Sequence, residues 1–126
     1  MPARVLIVDD ESDYLDALTK RMRMRGITVF KATSAQDALL HTQRYSFDLA
    51  LVDLFMPKLD GLRLIEAIRE QCPEQQVVLV TGYPTRDAYT RAMGLGATAF
   101  LAKPVDIEVL LEFIREARKQ RCFSEA

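Results

Sequence analysis

Leu49-Ala50-Leu51-Val52 is an apolar run closed by a carboxylate, Asp53. A short unbroken run of this kind suits a strand covered on both faces, as in the middle of a parallel sheet. The pattern recurs on either side of it. Val5-Leu6-Ile7-Val8 runs into Asp9-Asp10, and Val77-Val78-Leu79-Val80 runs into Thr81-Gly82. A more mixed run, Phe100-Leu101-Ala102, ends in Lys103-Pro104. In an open parallel α/β sheet the carboxyl ends of the strands share one rim, and ligands bind there. If the four runs are strands, three carboxylates, a hydroxyl and an ammonium meet at one spot. Such a spot suits a metal ion and a phosphoryl group.

Strand and helix alternate five times along the chain. Arg4–Val8 reads as the first strand. Ser12 is the expected cap of a first helix, in which Leu15, Leu18 and Met22 follow at helical spacing up to Gly26. Ile27–Lys31 alternates apolar and polar, as in a half-covered edge strand. Ser34 caps a second helix that turns Ala38, Leu39 and Thr42 inward, and Asp48–Val52 is the third strand. Asp60-Gly61 precedes a third helix with Leu62, Ile65 and Ile68 on one side, closed by Cys72-Pro73. Gln76–Val80 is the fourth strand, Thr85–Gly94 a fourth helix, and Thr98–Leu101 a short fifth strand. Pro104 is placed in the first turn of a fifth helix, which Leu110, Leu111 and Ile114 carry to about Gln120. Residues 122–126 read as a tail or the start of a linker after a domain spanning 1–121. The alternating second run and the short fifth run belong at the edges. Right-handed crossovers then favour a flavodoxin-like (βα)5 doubly wound sheet in the order 2-1-3-4-5. Its crevice falls between strands 1 and 3, where Asp9, Asp10 and Asp53 stand.

Composition narrows the function. The chain has 126 residues, 49% hydrophobic and 28% charged, which suits one ordinary globular domain. A net charge of -1 argues against electrostatic nucleic-acid binding by this domain. The basic clusters at 20–25 and 115–121 fall late in expected helices, where the helix dipole favours cations. Cys72 and Cys122 are isolated and His41 is the only histidine, so zinc sites and histidine-dependent triads are set aside. The N-terminus lacks an apolar leader pattern and no run approaches membrane-spanning length, so a cytoplasmic location is expected.

Val8-Asp9-Asp10-Glu11, Asp53-Leu54-Phe55-Met56-Pro57 with Asp60-Gly61, Thr81-Gly82 and Lys103-Pro104 stand in order at strand ends. With these marks the chain resembles the receiver (CheY-like) domain of two-component response regulators, from Arg4 to about Arg118. The resemblance implies a signalling domain that is phosphorylated, rather than an enzyme acting on other molecules. Asp53 matches the phosphoacceptor, since a carboxylate is a nucleophile able to form an aspartyl phosphate. Asp9 and Asp10 match the acidic pair that holds Mg²⁺ together with Asp53 and the backbone carbonyl of Phe55. Three close carboxylates repel one another, which is the physical reason to expect a cation. Lys103 matches the lysine that pairs with phosphoryl oxygens, and with Asp53 before phosphorylation. The family's Lys-Pro peptide is typically cis, so Pro104 is assigned a structural role, as are Pro57 and Gly61. Thr81 matches the switch hydroxyl and Gly82 its small neighbour. Phe100 falls where receivers place an aromatic rotamer switch, with a plain core phenylalanine as the other reading.

The implied donor is a phosphohistidine on a sensor histidine kinase or a histidine phosphotransfer domain. Output would pass through the face of helix 4, strand 5 and helix 5, to an effector domain or a second copy, with Tyr89, Arg91, Phe100 and Glu108 contributing. Tyr14, Ala17, Arg21, Pro104 and Val105 are the expected kinase-side patch. A haloacid-dehalogenase-type enzyme also uses a strand-end aspartate and Mg²⁺. It needs a second aspartate where Phe55 stands, and it leaves Asp9-Asp10 unexplained. A nucleotide or flavin binder needs a phosphate-cradling glycine loop after the first strand, where acids stand instead. The sequence leaves open a stand-alone receiver or a piece of a larger regulator or hybrid kinase.

Overall fold

The computed structural model describes residues 2–56 and 59–125; the side chains of 55–60 and 121–125 are outside the described set. The elements run β1 (Arg4–Val8), α1 (Ser12–Met24), β2 (Thr28–Ala32), α2 (Ala35–Arg44), β3 (Leu49–Asp53), β4 (Phe55–Met56), β5 (Leu59–Asp60), α3 (Gly61–Gln71), β6 (Val77–Thr81), α4 (Arg86–Gly94), β7 (Ala99–Ala102) and α5 (Ile107–Glu125). Five strands form a parallel sheet in the order β2-β1-β3-β6-β7. Setting aside the two-residue ribbon β4–β5, this is the expected order 2-1-3-4-5.

Alternate residues of each central strand feed opposite layers, because strand side chains have a period of two. Leu6 and Val8 of β1 join Ala50 and Val52 of β3 and Leu79 of β6 in the layer covered by α2, α3 and α4. Val5, Ile7, Leu49, Leu51 and Val78 face the layer built with α1 and α5, through Leu15, Leu18, Met22, Leu110 and Ile114. Strands β3 and β6 are buried along their whole length, which accounts for their unbroken apolar runs. The edge strand β2 alternates, and its outer carbonyls are covered. Arg23 Nη2 donates to the Val29 oxygen at 3.0 Å, and His41 Nε2 lies 3.1 Å from the Lys31 oxygen.

Several boundaries differ from expectation for local reasons. Gly26 takes φ 80°, and the Ile27 N–H bonds back to the Met22 oxygen at 3.3 Å. Ile27 is thus spent closing α1, and β2 begins at Thr28. Ser12 is the first helical residue rather than the cap. Glu11 is the N-cap and makes no side-chain cap bond; its own N–H donates to Asp9 Oδ1 at 2.9 Å. Ser34 does cap α2, accepting from the Asp37 N–H at 3.2 Å. Pro104 lies before α5, not in its first turn. Asp106 supplies the cap there, with Oδ1 accepting from the Glu108 N–H at 2.8 Å and its carbonyl from the Leu110 N–H at 3.2 Å. At its other end α5 runs to Glu125, past the expected stop near Gln120.

Candidate metal and phosphoryl-binding site

β1 and β3 are neighbours in register, Val8 opposite Val52, so Asp9 and Asp53 follow side by side at the rim. Oxygens from Asp9, Asp10 and Asp53 all lie within 4.8 Å of one another. Asp9 and Asp53 are only 3% and 5% exposed, so their charges are poorly served by water. These are hard oxygen donors with excess negative charge, and they fit a hard divalent cation. Part of Asp9 is occupied locally, since it takes the Glu11 N–H. That turn role accounts for Oδ1, while Oδ2 lies 2.8 Å from the Lys103 ammonium.

The chain leaves β3 by a tight path. The Leu54 N–H donates to the Val80 oxygen at 2.8 Å, and the Gly61 N–H donates to the Leu54 oxygen at 2.9 Å. A Cβ at Gly61 would stand 2.6 Å from the Asp53 oxygen and 2.8 Å from Leu54 Cα. Gly61 is therefore required by close approach of α3 to the strand end, a stronger reason than turn chemistry. Phe55 begins the ribbon paired with Asp60. Pro57 lies outside the described residues.

Lys103 arrives from the far side of the sheet. Its N–H extends the β6–β7 ladder by donating to the Thr81 oxygen at 2.8 Å, and the Lys103-Pro104 peptide is cis. Its Nζ lies 2.8 Å from Asp9 Oδ2, 3.3 Å from Glu11 Oε1 and 3.7 Å from Asp53 Oδ2. The expected pair with Asp53 is present, and Asp9 is a second, nearer partner. Burial disfavours the charged lysine, but the hydrogen bonds it donates to Asp9 and Glu11 and the charges of Asp53 and Asp9 outweigh it. The ammonium is held above the usual lysine range. The Tyr14 ring lies beneath it, its centroid 4.6 Å from Nζ. Burial pushes the Tyr14 phenol up. Its hydroxyl is shut from solvent near the Val105 backbone but makes no hydrogen bond of ordinary length.

Thr81 is fully buried, and its Oγ1 accepts the Tyr83 N–H at 3.0 Å, leaving its own proton to donate. A Cβ at Gly82 would meet nothing within 4 Å, so the surrounding chain does not by itself demand glycine there. Phe100 is partly buried and meets Tyr89 edge-on, 5.9 Å between ring centres. The expected surface patches need correction. Glu108 pairs with Arg25 at 2.9 Å, which puts it on the α1 side of α5. Val105 is buried, and Tyr14 is turned toward Lys103 instead of outward. Sequence reasoning missed Glu11 and Tyr14 as neighbours of Lys103. The available signal was their place at the cap and in the first turn of a helix that starts at the rim, with Tyr14 outside the Leu15, Leu18, Met22 stripe.

The response regulator receiver domain family model matches residues 5–115. The response regulator protein FleR of Pseudomonas aeruginosa is 34% identical over 114 residues, covering 90% of this chain and 24% of its own. The chain thus spans about a quarter of that relative's length. A CheY-like receiver domain from Methanospirillum hungatei superposes with a TM-score of 0.88 at 30% identity, covering 95% of this chain and 99% of the other. A response regulator protein from Burkholderia pseudomallei, solved with a phosphorylated aspartic acid, a calcium ion and citrate, gives 0.83 at 25% identity over 98% of this chain and 75% of its own. With the matched segment running through both acid-bearing strand ends and the Lys103 loop, this chain belongs to the response regulator receiver domains of two-component signalling.

Proposed function

We propose that Asp53 is the phosphoacceptor of this receiver domain and that Asp9, Asp10, Asp53 and the Phe55 carbonyl hold Mg²⁺. The observation that carries this reading is the convergence of Asp9, Asp10 and Asp53 within 4.8 Å, with the Lys103 ammonium bridging toward two of them. A bound divalent cation would neutralise the carboxylates and the phosphoryl oxygens. An Asp53 oxygen attacks phosphorus in line. The new O–P bond forms as the bond to the donor breaks, and the donor leaves with the electron pair and takes up a proton. The donor is a phosphohistidine on a sensor kinase or a phosphotransfer domain. The catalysis is confined to the domain's own phosphorylation and its loss.

Lys103 needs only a short swing, since its Nζ is already 3.7 Å from Asp53 Oδ2. It moves from Asp9 to the phosphoryl oxygens. The Thr81 proton is then donated to the same group, drawing Thr81 inward. Phe100 fills the space behind it and leaves its edge contact with Tyr89. The α4–β7–α5 face changes shape and meets an effector domain or a second copy. Among the described residues no helix is long and apolar enough to cross a membrane, and we assign the domain to the cytoplasm.

Phe55 and Tyr83 follow Asp53 and Thr81 by two residues, at positions that in receiver domains flank the path of the water that removes the phosphoryl group. Tyr83 is 77% exposed and free to cover that path. Phe55→Asn and Tyr83→Glu are expected to speed dephosphorylation, and unchanged decay rates would remove this role. The reading as a whole is tested by incubation with Mg²⁺ and acetyl phosphate, read by intact mass. A phosphoryl adduct is expected in the wild type and not in Asp53→Asn. An adduct that persists in that variant overturns the assignment.

A further inference from the structure

We infer that Tyr14 is a positioning residue for this chemistry: the face of its ring holds the Lys103 ammonium between the acid cluster and the incoming phosphoryl group. The inference rests on the functional reading above. Lys103 Nζ lies 4.6 Å from the ring centroid, inside the ~6 Å over which an aromatic face attracts a cation. Lysine ends in a point charge on a flexible four-carbon stem, so its contacts, not the stem, decide where the charge sits.

Those contacts are unequal. Asp9 at 2.8 Å and Asp53 at 3.7 Å are the groups assigned to the metal and the phosphoryl group, so both are drawn elsewhere during the reaction. Glu11 at 3.3 Å has a side chain 66% exposed, and water weakens its hold. Of the four, the ring alone is both shielded and untouched by metal binding or phosphorylation. Its own position is secured by packing. Tyr14 sits against the apolar layer that includes Leu15 and Val105. The phenol makes no hydrogen bond of ordinary length. The π face, not the hydroxyl, is therefore the part engaged with Lys103. An aliphatic residue would fill the space and give the ammonium less to rest on.

The test uses NMR of the lysine side-chain signals together with Mg²⁺ and beryllofluoride titrations on wild type, Tyr14→Phe and Tyr14→Leu, with Tyr14→Met in place of the last if it does not fold. In the ligand-free wild type, Lys103 is expected to show an upfield ring-current shift that Phe preserves and Leu abolishes. Tyr14→Leu is expected to weaken beryllofluoride binding about three- to tenfold, the range of a partly shielded cation–π contact, without weakening Mg²⁺ binding. Tyr14→Phe stays within about twofold of wild type. The inference is overturned if the wild-type shift is absent, if Leu binds beryllofluoride as wild type does, if Phe is as impaired as Leu, or if Mg²⁺ affinity falls in parallel. Wild type that shows the ring-current shift yet binds no beryllofluoride defeats the phosphoacceptor reading itself, and this inference with it.

Discussion

Gly61→Ala concentrates its effect on the junction between the acceptor strand and α3. The added Cβ would meet the Asp53 oxygen at 2.6 Å, Leu54 Cα at 2.8 Å and the Leu54 oxygen at 3.0 Å, where ordinary contact begins near 3.4 Å. All three are backbone atoms, so no side chain can rotate away. The strand cannot yield easily, because Ala50–Asp53 pair with Val77–Val80 and the Leu54 N–H is tied to the Val80 oxygen. The helix must retreat instead, stretching the 2.9 Å bond from the Gly61 N–H to the Leu54 oxygen. Forcing a methyl into packed structure costs about 1–3 kcal/mol, and a weakened hydrogen bond adds about 1. The better helix propensity of alanine returns at most about 1 kcal/mol. The expected net loss is about 2 kcal/mol, out of a total stability of about 5–15 for a domain of this size. Urea unfolding reads it as a midpoint lower by about 1 M. Gly94→Ala is the control, since a Cβ there meets nothing within 4 Å and its stability should hold or rise. A Gly61→Ala protein within about 0.5 kcal/mol of wild type would refute the close-approach argument.

Two further outcomes follow from the same contacts. Lys103→Met removes the ammonium that sits 2.8 Å from Asp9, so Mg²⁺ affinity should rise while beryllofluoride binding falls; a calorimetric titration showing weaker Mg²⁺ binding would count against a shared site. Ser34→Ala deletes the oxygen that takes the Asp37 N–H and should cost about 1 kcal/mol in urea unfolding, with no change in Mg²⁺ affinity because the lost bond joins Ser34 to Asp37 and involves no acid of the cluster.

The strand order and the acid cluster were legible because both depend on pattern. Unbroken apolar runs mark the central strands, and their last residues must share one edge of a parallel sheet. What escaped depends on closeness in space. Asp9 was read as an acid of the site, yet it also ties down the Glu11 N–H, a turn bond that spacing does not reveal. The Lys103–Asp53 pair is present at 3.7 Å, but the nearer pair with Asp9 is not legible, because it turns on differences of under an ångström between adjacent carboxylates. Pro104 fitted a first helical turn by type, but Asp106 two residues on holds the cap. Gly61 looked like a turn residue, while the reason for glycine is a backbone from another element pressed against it. Glu108 is expected among the contributors to the face of α4, β7 and α5, and only its contact with Arg25 shows that it reaches toward α1.

The most direct measurement of the converged pocket is the location of the phosphoryl group. The protein is incubated with acetyl phosphate with and without Mg²⁺, the acyl phosphate is trapped by borohydride reduction, and the modified peptide is sequenced by mass spectrometry. Modification at Asp53 alone, dependent on Mg²⁺ and lost in Asp10→Asn, is the expected result. Modification at Asp9, Asp10 or a carboxylate outside the cluster, or reaction at Asp53 that ignores the metal, would contradict it.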